Sequence, residues 1–279
     1  MVSSPEIPIA LQYGIAQVRE ILADKTIAVL TGAGVSTDSG IPDYRGAGRV
    51  KRHPLTFDEF LASEANQARY WARSYVGWNQ VAAAKPNYTH QALSDLEKAG
   101  KVQGLVTQNV DGLHQKAGSK RIVELHGRLD RVVCVSCEDI LSRDELDSRI
   151  FALNPDLVRE TNVDFAPDGD AEVEVQKNFR IPRCGICGGS YKPDVVFFGE
   201  QVPRQRVEQA EALISSAGAL VVAGSSLTVN SGLKLAKLAK RQEKPVVVIN
   251  LGETKADSFA AAKLNASVAL CLRELFGEQ

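Results

Sequence analysis

Four short apolar runs, each followed at once by small or polar residues, constrain the fold of this chain more than any other feature. Lys25 to Leu30 runs into Thr31-Gly32, Gly104 to Val106 into Thr107-Gln108-Asn109, Ala219 to Ala223 into Gly224-Ser225-Ser226, and Pro245 to Ile249 into Asn250. Short apolar runs bounded by turn-forming residues read as strands buried on both faces, the habit of a parallel sheet covered by helices. Helical patterns lie between them. Leu11, Ile15, Val18, Ile21 and Leu22 recur at helical spacing within Ile7 to Ala23, and Val202 to Ala217 and Leu233 to Arg241 behave alike. The alternation predicts an α/β fold, a Rossmann-like parallel sheet with helices on both faces. Two further strands are expected: Arg121 to Leu125, which stops at His126-Gly127, and Ala266 to Leu272, which carries Cys271. Ligands of open α/β sheets bind beyond the carboxyl ends of the strands, so Thr31, Thr107, Gly224 and Asn250 mark a candidate site.

The loop after the first strand, Thr31 to Gly40, is built of small residues that let backbone amides approach a phosphate. It does not complete the fingerprint of a hydride-transfer enzyme. Thr37 stands where the third small residue belongs, and Lys51, Arg52 and His53 stand where an acidic residue would hold a ribose. Next comes Ile41-Pro-Asp-Tyr-Arg-Gly46, too charged to be core. Another strand delivers Thr107-Gln108-Asn109-Val110-Asp111-Gly112 to its carboxyl end, and close by in sequence stands His126, whose imidazole exchanges protons near neutral pH. One site is expected to hold both.

From Arg49 to Ala99 the sequence turns helical, with Phe57, Phe60, Tyr70, Trp71, Tyr75 and Trp78 set among charges, a break at Pro86-Asn87, and Gly100 closing the last helix. In Tyr70-Trp-Ala-Arg73 a phenol and a guanidinium three apart share a helical face, where they are able to hold a carboxylate together; a packed tyrosine and a solvated arginine is the alternative. Four of the five cysteines form two pairs, Cys134-Val-Ser-Cys137 and Cys184-Gly-Ile-Cys187. They supply the closed thiolate set that one structural zinc ion favours, and leave no open position for a substrate, so the metal should hold a lobe together and stay out of the chemistry. A redox dithiol is the alternative. Between the pairs, Glu160 to Gln176 is acidic, and with Pro167-Asp-Gly169 it reads as an exposed loop or short hairpin.

At 279 residues and 44% hydrophobic, the chain suits one large domain with a smaller lobe. Residues 1–48, 101–127 and 196–279 are assigned to the large Rossmann-like domain. A helical insertion at 49–100 and a zinc module at 128–195 are assigned to the small one. A formal net charge of −1 gives no long-range pull toward nucleic acid or anionic membrane, so neither is expected as a partner. Met1 to Pro8 shows neither a basic start nor an apolar h-region, and no apolar run is long enough to span a bilayer. A cytoplasmic protein is expected. Its oligomeric state is left open, and a monomer is compatible.

Gly32-Ala-Gly-Val-Ser-Thr-Asp-Ser-Gly-Ile-Pro-Asp-Tyr-Arg45, Gln108-Asn-Val-Asp111, Glu124-Leu-His-Gly127, the paired Cys-x-x-Cys, Gly224-Ser-Ser226 and Ile249-Asn250 together resemble the sirtuin family of NAD-dependent protein deacylases. The match covers nearly the whole chain, in the family's order. Lys192-Pro-Asp-Val-Val-Phe-Phe-Gly-Glu200 and Tyr70-Trp-Ala-Arg73 resemble most its class II branch, the one that contains the fourth mammalian sirtuin.

The resemblance implies NAD as co-substrate and acyl-lysine proteins or peptides as substrates. It places Gly32, Ala33, Gly34, Asp43, Tyr44 and Arg45 around the phosphates and the nicotinamide ribose, and Gln108, Asn109 and Asp111 in the nicotinamide pocket. Gly224, Ser225 and Ser226 would hold phosphate and ribose, Asn250 with Leu251 and Gly252 the adenine ribose, and Cys271 would border the adenine. The implied chemistry is attack of the acyl oxygen on C1′, loss of nicotinamide, and transfer of the acyl group to ADP-ribose, with Asn109 and His126 catalytic and His126 the general base. The peptide would add as a strand between the loops at Val195 to Gly199, including Phe197, and Leu227 to Gly232. Tyr70 and Arg73, if they face the acyl channel, would favour succinyl or glutaryl groups. A mono-ADP-ribosyltransferase using the same NAD site is the alternative, and a non-catalytic NAD-sensing or zinc-mediated interaction module a weaker one.

Overall fold

In the computed structural model, which describes residues 7–44, 54–157, 163–173 and 178–277, helix α1 (Ile9–Leu22) precedes strand β1 (Ile27–Thr31). Helices α2 (Phe57–Ala62), α3 (Glu64–Ala83) and α4 (Tyr88–Lys98) follow, then β2 (Val102–Thr107), α5 (Leu113–Lys116) and β3 (Ile122–Glu124). The next section contains β4 (Gly127–Cys134), β5 (Ile140–Ser142), α6 (Arg143–Leu153) and β6 (Tyr191–Val195). The chain then alternates through α7 (Arg204–Ser216), β7 (Ala219–Ala223), α8 (Asn230–Arg241), β8 (Val246–Ile249), β9 (Ala262–Leu264) and α9 (Val268–Phe276).

The large sheet has the order β3-β2-β1-β7-β8-β9, every pairing parallel. Every residue of β1, β7 and β8 is buried, as covered parallel strands require. Alternation along β1 sends Ile27 and Val29 into one core with α1, α4 and α9, and Ala28 and Leu30 into another with α7 and α8. From β1 the chain turns to β2 and β3 on one side and returns to β7 on the other. The order therefore reverses between β1 and β7, where the crevice of a doubly wound sheet opens.

The expected strand at Ala266 to Leu272 is instead helix α9. Val268, Cys271, Leu272 and Leu275 are its buried residues, a helical spacing, and the Ser267 hydroxyl caps it by accepting from the Leu270 amide at 3.2 Å. The edge strand is the shorter β9. Helix α4, assigned on sequence to the small domain, buries Leu93 in the core under the large sheet, whereas α2 and α3 pack in the aromatic core.

The small lobe is the antiparallel sheet β5-β4-β6 packed against α2, α3 and α6. Its core is aromatic: Phe60 and Trp71 are fully buried, and the Trp71 indole donates to the Tyr191 carbonyl at 3.0 Å. Arg143 is buried with its guanidinium 5.2 and 5.4 Å from the Trp71 and Trp78 ring centroids, and it pairs with Asp147 at 2.7 Å. Around Pro167-Asp-Gly169 the chain makes a hairpin turn, with Phe165 bridged to Ala171 and Gly169 at φ +75. It is not a free surface loop. Ala171 is fully buried, and the turn lies so close to α3 that a Cβ on Gly77 would come within 2.2 Å of the Gly169 carbonyl oxygen. Among the described residues no helix is long and apolar enough to cross a membrane.

Candidate active site

Two loops meet backbone to backbone at the β1/β7 crevice. The Gly32 amide donates to the Ala223 carbonyl at 3.1 Å and the Gly34 amide to the Gly224 carbonyl at 2.9 Å. A Cβ on Gly32 would lie 2.7 Å from Ser225 Cβ, and one on Gly224, whose φ is +61, would lie 2.7 Å from the Val35 nitrogen. Only glycine fits this contact, which keeps the small-residue loops shallow at the strand ends. Ala33, Ser226 and Asn250 line the same edge, with Leu251 and Gly252 exposed just beyond it. Asp43 is half-buried and Tyr44 exposed, its ring edge-on to Phe198 at 6.1 Å. Arg45 lies outside the described residues. Cys271 sits in the apolar core with Val35, Ala223 and Ile249, and burial pushes its thiol up to about 11.

Beside this cradle is a buried polar cluster. The Ser36 hydroxyl donates to the Asp111 carboxylate at 2.7 Å and accepts from the Asn109 carboxamide at 3.0 Å. The other Asp111 oxygen accepts from the Leu113 amide at 2.9 Å. Burial nevertheless raises the Asp111 pKa, outweighing the amide and hydroxyl that hold the carboxylate. Under the cluster, Thr107 and Thr31 hydroxyls are 2.9 Å apart, and Thr31 is 3.0 Å from His114 Nε2. The His114 ring packs edge-on against His90 at 4.8 Å. Ser36 was not singled out in the sequence, although it stands within the first loop.

His126 stands between β3 and β4, where Gly127 at φ +84 turns the chain. A side chain on Gly127 would run into the Asp194 carbonyl, 1.9 Å from an ideal Cβ. Nδ1 of His126 lies 3.0 Å from the Gln108 carbonyl oxygen and Nε2 2.8 Å from the Ser231 hydroxyl. A carbonyl can only accept, so Nδ1 carries the proton and Nε2 the lone pair. Burial holds the ring below its ordinary 6.5, with the Arg206 charge acting the same way and the Gln108 carbonyl opposing. Gln108, Asn109, Asp111 and His126 are thus brought together with the glycine cradle through Ser225, whose hydroxyl donates to Gln108 Oε1 at 2.7 Å.

The loop after β6 borders this site. Val195 pairs with Gly127, the Val196 amide donates to the His126 carbonyl at 2.9 Å, and Gly199 is exposed at φ +82. Phe197 stacks on Phe60 at 5.2 Å and Tyr70 packs against both rings. Tyr70 and Arg73 face different partners in this structure. The Arg73 guanidinium turns to the 165–171 hairpin, pairing with Asp170 at 2.7 Å and donating to the Ala171 carbonyl at 2.9 Å, while the Tyr70 ring points into the aromatic cluster.

At the far end of the small lobe, the sulfur atoms of Cys134, Cys137, Cys184 and Cys187 lie within 4.8 Å of one another. Cys134–Cys187 and Cys137–Cys184 sulfur distances are 3.5 and 3.6 Å. Zinc–thiolate bonds of about 2.3 Å in a tetrahedron require sulfur separations of about 3.8 Å, so the set fits one ion. The Ile186 and Gly189 amides reach the sulfurs of Cys184 and Cys187 at 3.4 Å. Such N–H groups complement the charge of thiolates.

The Sir2 family model matches residues 32–231. A Mycobacterium avium (strain 104) protein named NAD-dependent protein deacetylase 1 is 45% identical over 262 residues, covering 92% of this chain and 93% of the relative. The Drosophila melanogaster NAD-dependent protein deacylase Sirt4 is 44% identical over 269 residues, covering 92% and 84%. Among solved structures, a Sir2–p53 peptide–NAD+ complex aligns with TM-score 0.75 at 31% identity over 94% of this chain and 96% of that one. Sir2Tm bound to a propionylated peptide aligns with TM-score 0.74 at 30% identity and the same coverage. With the glycine cradle, the histidine at the lobe junction and the four-thiolate cluster in the order of that family, the chain belongs to the Sir2 family, the sirtuins.

Proposed function

We propose that this chain is an NAD-dependent protein-lysine deacylase, which moves the acyl group of an acyl-lysine side chain onto ADP-ribose and releases nicotinamide. The observation that carries this reading is His126: a neutral imidazole with its lone pair on Nε2, beside the glycine cradle at the β1/β7 crevice. NAD, when bound, supplies an electrophilic ribose carbon and a leaving group. The chain's own residues do the rest. The loops Gly32 to Gly34 and Gly224 to Ser226, which meet backbone to backbone because their glycines carry no Cβ, form the floor for phosphate and ribose. Leu251 and Gly252 join Asn250 at the adenine end, where Cys271 contributes as packing beneath the pocket. Asn109, Asp111 and Ser36 form the polar end suited to a carboxamide and a ribose.

His126 takes the proton of a ribose hydroxyl at Nε2. The Gln108 carbonyl on Nδ1 then steadies the imidazolium that results. A site that keeps this ring neutral below its ordinary pKa keeps the base ready at neutral pH. The peptide lies along the loops at Val195 to Gly199 and Leu227 to Gly232, held by main chain. Engagement of Arg73 by Asp170 supports an acyl group without a carboxylate. Four thiols gathered for metal ligation fit a reducing compartment, for which we propose the cytoplasm.

The test is an acyl-lysine peptide incubated with NAD. Wild type should release nicotinamide and acyl-ADP-ribose in equal amounts, and His126→Ala should slow acyl transfer by about 10²- to 10⁴-fold with the zinc content unchanged. Label from NAD retained on protein in place of free acyl-ADP-ribose would mean ADP-ribosyl transfer and overturn the proposal.

A further inference from the structure

We propose that Ser231 is a positioning residue for His126: its hydroxyl caps the basic nitrogen of the ring, fixes the tautomer, and gives up that place to the substrate hydroxyl. The inference rests on the deacylase reading for the base, and on geometry for the contact. Since the Gln108 carbonyl obliges Nδ1 to be the donor, Nε2 has only a lone pair to offer, and the Ser231 hydroxyl at 2.8 Å must be donating to it. The ring is thus held at both nitrogens.

Both holds come from one structural unit. Ser231 lies in the first turn of α8, and its neighbour Gly232 lies flush against the side chain of Gln108, so that a Cβ there would be 2.8 Å from Gln108 Nε2. The other end of that amide accepts from Ser225 at 2.7 Å. Gln108 therefore fixes the start of α8 through its side chain and His126 through its carbonyl. The Ser-Gly pair works as one device, supplying a hydroxyl for the base and a bare Cα for Gln108.

Donation to a lone pair stabilises the neutral ring and opposes its protonation. The charged groups nearby are mutually paired. Arg206 of α7 binds Asp194 of β6, whose other oxygen meets Arg131 of β4, and Glu124 of β3 lies between Arg131 and Arg128. The first turn of α8, Asn230 to Leu233, adds no titratable group. Ser231 is the uncharged contact on Nε2, and its removal should be felt at that atom.

The experiment is histidine-selective NMR titration of the ligand-free protein, made tractable by only four histidines, combined with the pH dependence of acyl transfer. Ser231→Ala should raise the His126 pKa by about half to one unit and move the acid limb of the rate upward with it. Ser231→Thr, which keeps the hydroxyl, should restore the wild-type values, and Ser231→Cys, a weaker donor, should fall between. An unchanged His126 pKa in Ser231→Ala overturns the proposal, as does a Thr variant that behaves like Ala. If the pKa moves as expected while the wild type deacylates no peptide, the positioning contact stands and the deacylase reading fails.

Discussion

The large sheet and the small lobe solve the same problem with different materials. Strands β1, β7 and β8 bury every residue between two helical layers, and the polar groups of the site appear only where those strands end. In the small lobe, β4 alternates between buried and half-buried positions, β5 is largely exposed, and the core is a few large aromatics around a buried Arg143. A small lobe with a core of this kind gains from a staple. That staple is the four-thiolate cluster, the length of strand β4 away from His126 and separate from it in role. The sheet sets the chemistry by position, whereas the lobe holds its shape through a metal.

Removing the metal should break this comparison most visibly. Structural zinc contributes about 10–16 kcal/mol of apparent binding free energy in small metal domains, more than a lobe of this kind holds in reserve. Chelation, or Cys184→Ser, should unfold the small lobe and leave the large sheet. The two tryptophans of the sequence, Trp71 and Trp78, both lie in the small-lobe core, so their fluorescence reports that lobe alone. A red-shifted tryptophan spectrum with most far-ultraviolet ellipticity retained is the expected result. Loss of both signals together would show that the lobes fold as one unit.

Acid should strike the large sheet through its buried imidazoles. Burial lowers His90 to about 4 and His114 to about 3, the latter also through the neighbouring His90. The unfolded chain takes up protons below pH 6.5 while the folded rings do not, so the stability they contribute is present above 6.5 and lost as pH falls. Each ring should cost about 1.4 kcal/mol per pH unit between pH 6.5 and 4. Urea midpoints measured at several pH values should fall with that slope, and His114→Gln should remove about 1.4 kcal/mol per pH unit from it. A slope that His114→Gln leaves unchanged would place the acid sensitivity elsewhere.

This contrast also explains what was legible in the sequence. Strand β7 falls at Ala219–Ala223 as read from the apolar run, and the four polar strand ends are neighbours in space, because burial on both faces leaves a continuous hydrophobic signal. The thiolate pairs were legible because metal ligation fixes residue type and spacing together. Ala266 to Leu272 misled because seven mostly apolar residues do not reveal their period without the Ser267 cap and Leu275 beyond. Ser231 left no signal. Its importance comes from Gln108, far away in sequence, which turns the ring so that Nε2 faces α8. The direction of Arg73 was hidden for the same reason, since its partner Asp170 lies on a hairpin that nothing local to α3 announces.

Arg73 gives the smallest expected effect and the finest test of the division between the lobes. Its side chain and that of Asp170 are 30% and 22% exposed, which puts the pair in the range of about 1 kcal/mol or less. Arg73→Met keeps an unbranched stem and removes the charge. The expected outcome is a small drop in melting temperature, with the ratio of acetyl- to succinyl-peptide rates changing by less than about threefold, below the roughly 1.4 kcal/mol that a tenfold preference represents. A selective loss of tenfold or more against the acidic acyl group would mean that Arg73 leaves Asp170 to meet the substrate. The small lobe would then read the acyl group by charge. If the ratio holds, acyl choice falls to the aromatic wall of Phe60, Tyr70 and Phe197, where packing and not charge discriminates.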